Sequence, residues 1–365
     1  MDVNKLDTPA LLLDVDKVEK NIEDIAAFAK EKRVSVRPHL KTHKCIEIAK
    51  RQLEAGAIGV TVAKVGEAEV MVAGGIRDIL IAYPLAAEAK LKRVEKLMEE
   101  AQITVAVDSV AQADILAAFF KGKKPLNVWI KVNSGLNRIG VEPNEEVVEL
   151  AKHIQGLTAL RLNGIFTHAG HSYAAKSPEA IERIALEEAD AVVKSATLCE
   201  DAGVLIPSRS IGSTPTFRIA GAVDGVTEIR PGNAVFYDMV QVGLGVASRE
   251  QCALTVMTSI VSKKADRIVI DAGSKTLALD QGAHGNASIT GHGHVKGHPD
   301  FVIARLSEEH GVIPLDGEVD VKLNDRLEII PNHACVVANL FDSYAVHRDG
   351  KVVAEWKVDA RGRLQ

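Results

Sequence analysis

The residues with the most chemistry to offer stand together in Arg37-Pro38-His39-Leu40-Lys41-Thr42-His43-Lys44. They follow the short β-type run Val34-Ser35-Val36 and precede a helical pattern that begins near Cys45. A strand that delivers Lys41 to its own C-terminal end, within repeating strand–helix units, is where an α/β barrel presents catalytic side chains. An amine placed there can form a Schiff base if burial or nearby cations lower its pKa. Arg37 and Lys44 supply such cations, and His43 adds to them. Standing alone, the segment reads rather as a solvated basic turn.

A second stretch changes that balance. Gly212-Ser213-Thr214-Pro215-Thr216, with Arg230-Pro231-Gly232-Asn233 after it, offers small residues with free backbone N–H groups and hydroxyls. Placed after late barrel strands, such residues cradle a phosphate, and Pro215 suits the start of a short helix facing the anion. A third, Lys131 to Gly140, follows the apolar run Val128–Ile130 and carries Arg138. That arginine either holds a phenolate oxygen or carboxylate with paired donors, or lies on the surface.

These side chains need elements to position them. From Thr8 to about Val240, short β-branched runs alternate with longer amphipathic stretches, a pattern of βαβ units and parallel pairing. About eight units over roughly 230 residues match a (β/α)8, TIM-like barrel in count and length. A doubly wound sheet is second, because the Gly-rich phosphate turn expected after its first strand is missing. Beyond Gly243 the texture becomes short alternating runs without long helical patterns, and Asp349-Gly350 marks a hairpin. The expected fold is therefore α/β: a barrel over 14–243, and an antiparallel β domain from 1–13 and 244–365.

Bulk properties narrow the function. With 365 residues, the chain exceeds the usual single domain. A net charge of −5 gives no basic bias for nucleic acid, and no apolar run is long enough for a membrane span. The polar N-terminus does not resemble a secretion signal. Cys45, Cys199, Cys252 and Cys335 are scattered without a Cys-x-x-Cys pair, which suits a reducing cytoplasm.

Taken together, Asp7-Thr8-Pro9, Arg37-Pro38-His39-x-Lys41-Thr42-His43, Asn137-Arg138-x-Gly140, Gly212-Ser213-Thr214-Pro215, Arg230-Pro231-Gly232 and Pro331-Asn332-His333-Ala334-Cys335 resemble a known family. It is the D-threonine aldolase and D-serine dehydratase family of fold-type III, alanine-racemase-like pyridoxal-phosphate enzymes. The resemblance covers nearly the whole chain and implies that Lys41 carries pyridoxal phosphate as a Schiff base. It implies that Arg138 contacts the ring oxygen, that Gly212, Ser213, Thr214, Gly232 and Asn233 hold the phosphate, and that Tyr173 lies near the pyridine ring. It also implies a head-to-tail homodimer in which one subunit's β domain closes its partner's barrel mouth.

His333 and Cys335 separate this family from the racemases. Two apart on an extended segment, they would face the same way. Imidazole with thiolate favours Zn2+, and a pair leaves positions open for water and substrate. Aldolase relatives often carry a carboxylate at the Cys335 position and dehydratase relatives a thiolate, which leaves the reaction open and makes Mn2+ or Mg2+ weaker alternatives to Zn2+.

The resemblance implies a lyase acting on D-β-hydroxy amino acids. Retro-aldol cleavage to glycine and an aldehyde is placed ahead of dehydration with deamination, and racemisation is third. Lys41 would serve as base for dehydration, and His168 or His171 for the retro-aldol route. Of the other histidines, His292, His294 and His298 form either a metal-binding tract or an exposed, unligated loop, and His284 lies just before them. Ser307-Glu308-Glu309-His310-Gly311 either lines the pocket or is a hairpin turn.

Overall fold

The computed structural model describes residues 1–282 and 289–365; His284 therefore lies outside the described residues. After β1 (Ala10–Asp14) come eight parallel strands: β2 (Ser35–Val36), β3 (Val60–Val62), β4 (Asp78–Pro84), β5 (Gln102–Val107), β6 (Leu126–Lys131), β7 (Leu160–Phe166), β8 (Ser208–Ile211) and β9 (Glu228–Ile229). Hydrogen-bonded neighbours run β2-β9-β8-β7-β6-β5-β4-β3. A parallel bridge from His39 to Thr61 joins the two ends of that row, giving the expected TIM-like barrel. Central strands such as Gln102–Val107 bury nearly every side chain, as parallel strands covered on both faces must.

Local signals set the helix boundaries. The side chains of Asp14 and Ser109 accept hydrogen bonds from the amides of Lys17 and Gln112, starting Val15–Lys32 and Val110–Phe120. Ser177 caps the long helix Pro178–Asp201, which has proline at its first turn.

The remaining strands are β10 (Leu254–Lys263), β11 (Arg267–Ile270), β12 (His294–Val295), β13 (Arg305–Leu306), β14 (Gly311–Pro314), β15 (Arg326–Ile330), β16 (Ser343–Arg348) and β17 (Lys351–Lys357). They form a mostly antiparallel sheet in which β1 lies antiparallel to β10 and parallel to β16.

Inside the barrel, Leu80, Ala106, Trp129 and Phe166 form a packed layer. Gly164 makes room for it, since a Cβ there would sit 2.9 Å from the Trp129 ring. Strand alternation then places Ala82 and Lys131, two residues beyond Leu80 and Trp129, in the lining of a cavity at the C-terminal ends of the strands.

Candidate active site

The cavity has a volume of about 150 Å3. Its wall carries Lys41 from the loop after β2, Lys131 from β6, and His168 from the loop after β7. Arg138 stands exposed at its edge, and Arg230 is buried beside it. Gly212, Ser213 and Thr214 follow β8, and Gly232 and Asn233 follow β9. The structure thus brings Lys41, Arg138, His168, Tyr173, the cup residues, His333 and Cys335 to one cavity. His171 is not in its lining; it sits on the next turn, against Gly135.

Burial lowers the pKa of Lys41, and Arg138 and Arg230 lower it further against the opposing pull of Cys335 and Glu67. The cations expected to do this from sequence lie elsewhere. Arg37 pairs with Asp78 and Glu228, Lys44 is held 2.9 Å from Glu67, and His43 is kept neutral by burial, its pKa lowered to about 3. The cations beside Lys41 come from two other strand ends, because the barrel converges them. A signed pH effect follows. Uptake of an aldehyde by the apoprotein rises with pH through a midpoint below the ordinary lysine value of 10.5, and Arg138→Ala moves that midpoint upward. Stopped-flow absorbance against pH measures both.

The cup is organised by a carboxylate that sequence inspection passes over. Glu188, fully buried on the long helix, accepts hydrogen bonds from Thr167 Oγ1 (3.0 Å), Ala169 N (3.1 Å), Gly212 N (3.1 Å) and Thr216 Oγ1 (2.6 Å). The Gly212 amide is therefore committed to Glu188, leaving the donors of Ser213, Thr214 and Gly232-Asn233 for an anion. Gly212 must still be small, since a Cβ would meet the Arg230 guanidinium at 2.9 Å. Ser213 Oγ lies 2.9 Å from Ser172 Oγ, and Thr214 Oγ1 accepts from Ala234 N and is bonded to Tyr173.

His168 donates from Nδ1 to the Gly212 carbonyl, and burial drives its pKa well down, so it is a neutral imidazole. Two lysines and two arginines around hydroxyls and amides fit a phosphorylated aldehyde cofactor such as pyridoxal phosphate. Glu188→Gln removes the charge that draws four donors together. It should weaken cofactor affinity about tenfold, the size of a lost charge-assisted hydrogen bond, measured by absorbance titration of the apoprotein.

His333 and Cys335 reach the cavity from the β domain. They are not on an extended segment as expected; His333 caps a short helix, Ala334–Ala338, whose first turn holds Cys335. The two side chains still meet, because a helix N-cap and second helical residue also turn toward one another. Asp280 Oδ2 accepts from His333 Nδ1 at 2.7 Å, which leaves Nε2 for Cys335, and Thr42 Oγ1 lies 3.2 Å from Cys335 Sγ. Burial opposes both charges but the pair outweighs it. Cys335 and Asp280 push His333 up to about 11, and His333 and Thr42 hold the Cys335 thiol below its ordinary value.

A histidine with a carboxylate behind it, next to a thiol of lowered pKa, offers the donor chemistry of a zinc ligand pair once a metal displaces their protons. Among the described residues no group of three or more His, Cys, Asp or Glu gathers as a closed metal cage. The other histidine tract does not join: none of its described members lines the cavity. His292 packs against Gln281, His294 sits in β12, and His298 stacks on Phe301. Ser307–Gly311 is likewise away from the cavity lining: 307–310 form an exposed turn after β13, and Gly311 is the buried first residue of β14.

Residues 13–240 match the family model "Alanine racemase, N-terminal domain", and residues 253–347 match "Putative serine dehydratase domain". D-threo-3-hydroxyaspartate dehydratase from Delftia sp. is 36% identical over 95% of this chain and 96% of its own. Its solved structure has a TM-score of 0.92 at 34% identity, covering 98% of both chains. 3-Hydroxy-D-aspartate aldolase from Paracoccus denitrificans is 32% identical over 100% of this chain and 94% of its own. The structure of D-threonine aldolase from Filomicrobium marinum has a TM-score of 0.91 at 30% identity, covering 99% of this chain and 97% of that one. The chain is an enzyme of the alanine-racemase-like, fold-type III pyridoxal-phosphate group and belongs to its D-threonine aldolase and D-serine dehydratase family.

Proposed function

We propose that this chain is a metal-assisted pyridoxal-phosphate lyase of D-configured β-hydroxy amino acids, and that it eliminates water from them to give an enamine, whose hydrolysis by one water releases ammonia and a 2-oxo acid. The observation that carries this is one contact: Thr42, next to Lys41, touches Cys335 at 3.2 Å, so a base from the barrel and a donor pair from the β domain share a cavity. Bound, the cofactor would supply an electron sink at Cα and a divalent metal a Lewis acid at the β-hydroxyl. Lys41, Arg138, Ser213, Thr214 and Asn233 would hold the first, and His333 with Cys335 the second. The imidazole–thiolate pair favours Zn2+ over Mn2+ or Mg2+.

Lys41, its pKa lowered, is suited to take a proton from Cα. Of the two histidines expected to deprotonate the β-hydroxyl, only His168 lines the cavity, its Nδ1 donating to Gly212 and its Nε2 left as the acceptor, while His171 stands outside the lining. The Delftia relative, named a dehydratase, and the C-terminal family model support elimination.

Retro-aldol cleavage, placed first from sequence, is the second outcome, favoured by the neutral His168 in the cavity and by the relatives named aldolases. Product analysis of the holoenzyme with D-serine, D-threonine and D-threo-3-hydroxyaspartate decides. Ammonia with a 2-oxo acid supports elimination. Glycine with an aldehyde replaces it with retro-aldol cleavage. The L-enantiomer alone would make it a racemase.

A homodimer is part of the same proposal. Its support is the exposed Glu308-Glu309-His310 turn, which does not line its own cavity. A cytoplasmic setting also belongs here, supported by four free cysteines. No helix among the described residues is long and apolar enough to cross a membrane.

A further inference from the structure

Asp238 is a fully buried carboxylate between the two halves of the site. It caps the helix Met239–Gly243, accepting from Gln241 N at 3.1 Å through Oδ1. Its other oxygen, Oδ2, takes two donors from different domains: Asn233 Nδ2 at 2.6 Å and Ala334 N at 2.9 Å. Asn233 belongs to the cofactor cup, and Ala334 is the residue between His333 and Cys335. The main chain repeats the link, with Met239 N and Val240 N donating to Pro331 O and Asn332 O at 3.1 Å each.

The consequence at Asn233 is specific. Its Nδ2 is committed to Asp238, so its buried Oδ1, which has no hydrogen-bond partner among the described residues, is the amide atom left to serve a ligand. The same Nδ2 lies 3.9 Å from Cys335 Sγ. All three partners of Asp238 are donors, so the position needs an acceptor on both oxygens. An asparagine there would present N–H to at least one of them, and a buried donor facing a donor is costly.

We propose that Asp238 is a positioning residue that sets the His333-Ala334-Cys335 turn against the cofactor cup, so that metal affinity and cofactor affinity depend on one carboxylate. This rests on His333 and Cys335 holding a metal. A residue that fixes ligand geometry without touching the ion typically changes metal affinity about 10- to 100-fold when lost. A merely structural aspartate would lower thermal stability and leave both affinities of the folded protein unchanged.

The test measures Zn2+ affinity by competition with a chromophoric chelator, and pyridoxal-phosphate affinity by absorbance titration. Both are run on wild type, Asp238→Asn, Asn233→Ala and His333→Ala. Asp238→Asn should weaken Zn2+ binding about 10- to 100-fold and weaken the cofactor in the same direction. Asn233→Ala, which releases Asp238 on one side, should weaken Zn2+ several-fold although Asn233 is not a ligand, and it carries the test if Asp238→Asn does not fold. Zn2+ affinity unchanged in both variants, while His333→Ala loses it, overturns the role of Asp238 and leaves the metal pair standing. Zn2+ affinity unchanged in His333→Ala overturns the metal pair itself.

Discussion

Lys41→Ala should abolish the visible absorption of bound pyridoxal phosphate and lower turnover at least roughly a thousandfold, within the range for loss of a positioned acid–base group. Both effects have one source. The amine that would bind the aldehyde and the amine that would take the Cα proton are the same atom, held where burial and two arginines lower its pKa. Lys41→Arg keeps much of the volume and imposes a fixed charge but restores neither function, because a guanidinium does not deprotonate near neutrality. Absorbance spectra and steady-state turnover of the two variants are sufficient. A visible band persisting in Lys41→Ala would reassign the covalent lysine, and Lys131, on the same cavity wall, would be next.

His333→Ala should give the opposite pattern: absorption kept, turnover lost by roughly a thousandfold, the size of a Lewis-acid contribution of several kcal/mol. The cup and Lys41 belong to the barrel, whereas His333 enters from the β domain through the turn braced by Asp280. Removing its imidazole therefore leaves the cofactor side intact. Chelation of wild type should reproduce the loss, and added Zn2+ should restore wild type but not the variant. If the chelated enzyme or His333→Ala turns over normally, metal has no part in the reaction.

The residues that could be found in the sequence are those fixed by strand ends. Lys41, Arg138, Gly212 to Thr214 and Gly232-Asn233 each follow a recognisable β run, so the barrel topology alone brings them together. The barrel was legible from its largely apolar central strands, such as Asp78–Pro84 and Gln102–Val107, and from capped helices such as Val15–Lys32, Val110–Phe120 and Pro178–Asp201. Buried acids were not. Glu188 sits in a helix rich in surface acids, and its partners lie up to 28 positions away. Asp238 reaches Ala334 across 96 positions, and Asp280 reaches His333 across 53. Nothing in local spacing separates such carboxylates from solvated ones; burial and convergent donors do.

The cations beside Lys41 show the same limit. Neighbours in sequence, Arg37 and Lys44, turn to acids of their own, while Arg138 and Arg230 arrive through the closure of the ring. The His333–Cys335 pair was found for a partly wrong reason. It lies on a helix start rather than an extended run, and both geometries bring the second neighbour round.

The measurement that bears most directly on elimination is proton exchange at Cα in the metal-stripped holoenzyme. With D-serine or D-threonine in D2O, followed by NMR, the Cα proton should wash out while no 2-oxo acid or aldehyde forms, and Lys41→Ala should stop the exchange. That result would place Lys41 as the Cα base, acting independently of His333 and Cys335. No exchange in the metal-stripped enzyme, together with aldehyde release once metal is restored, would contradict elimination and return the chain to retro-aldol chemistry.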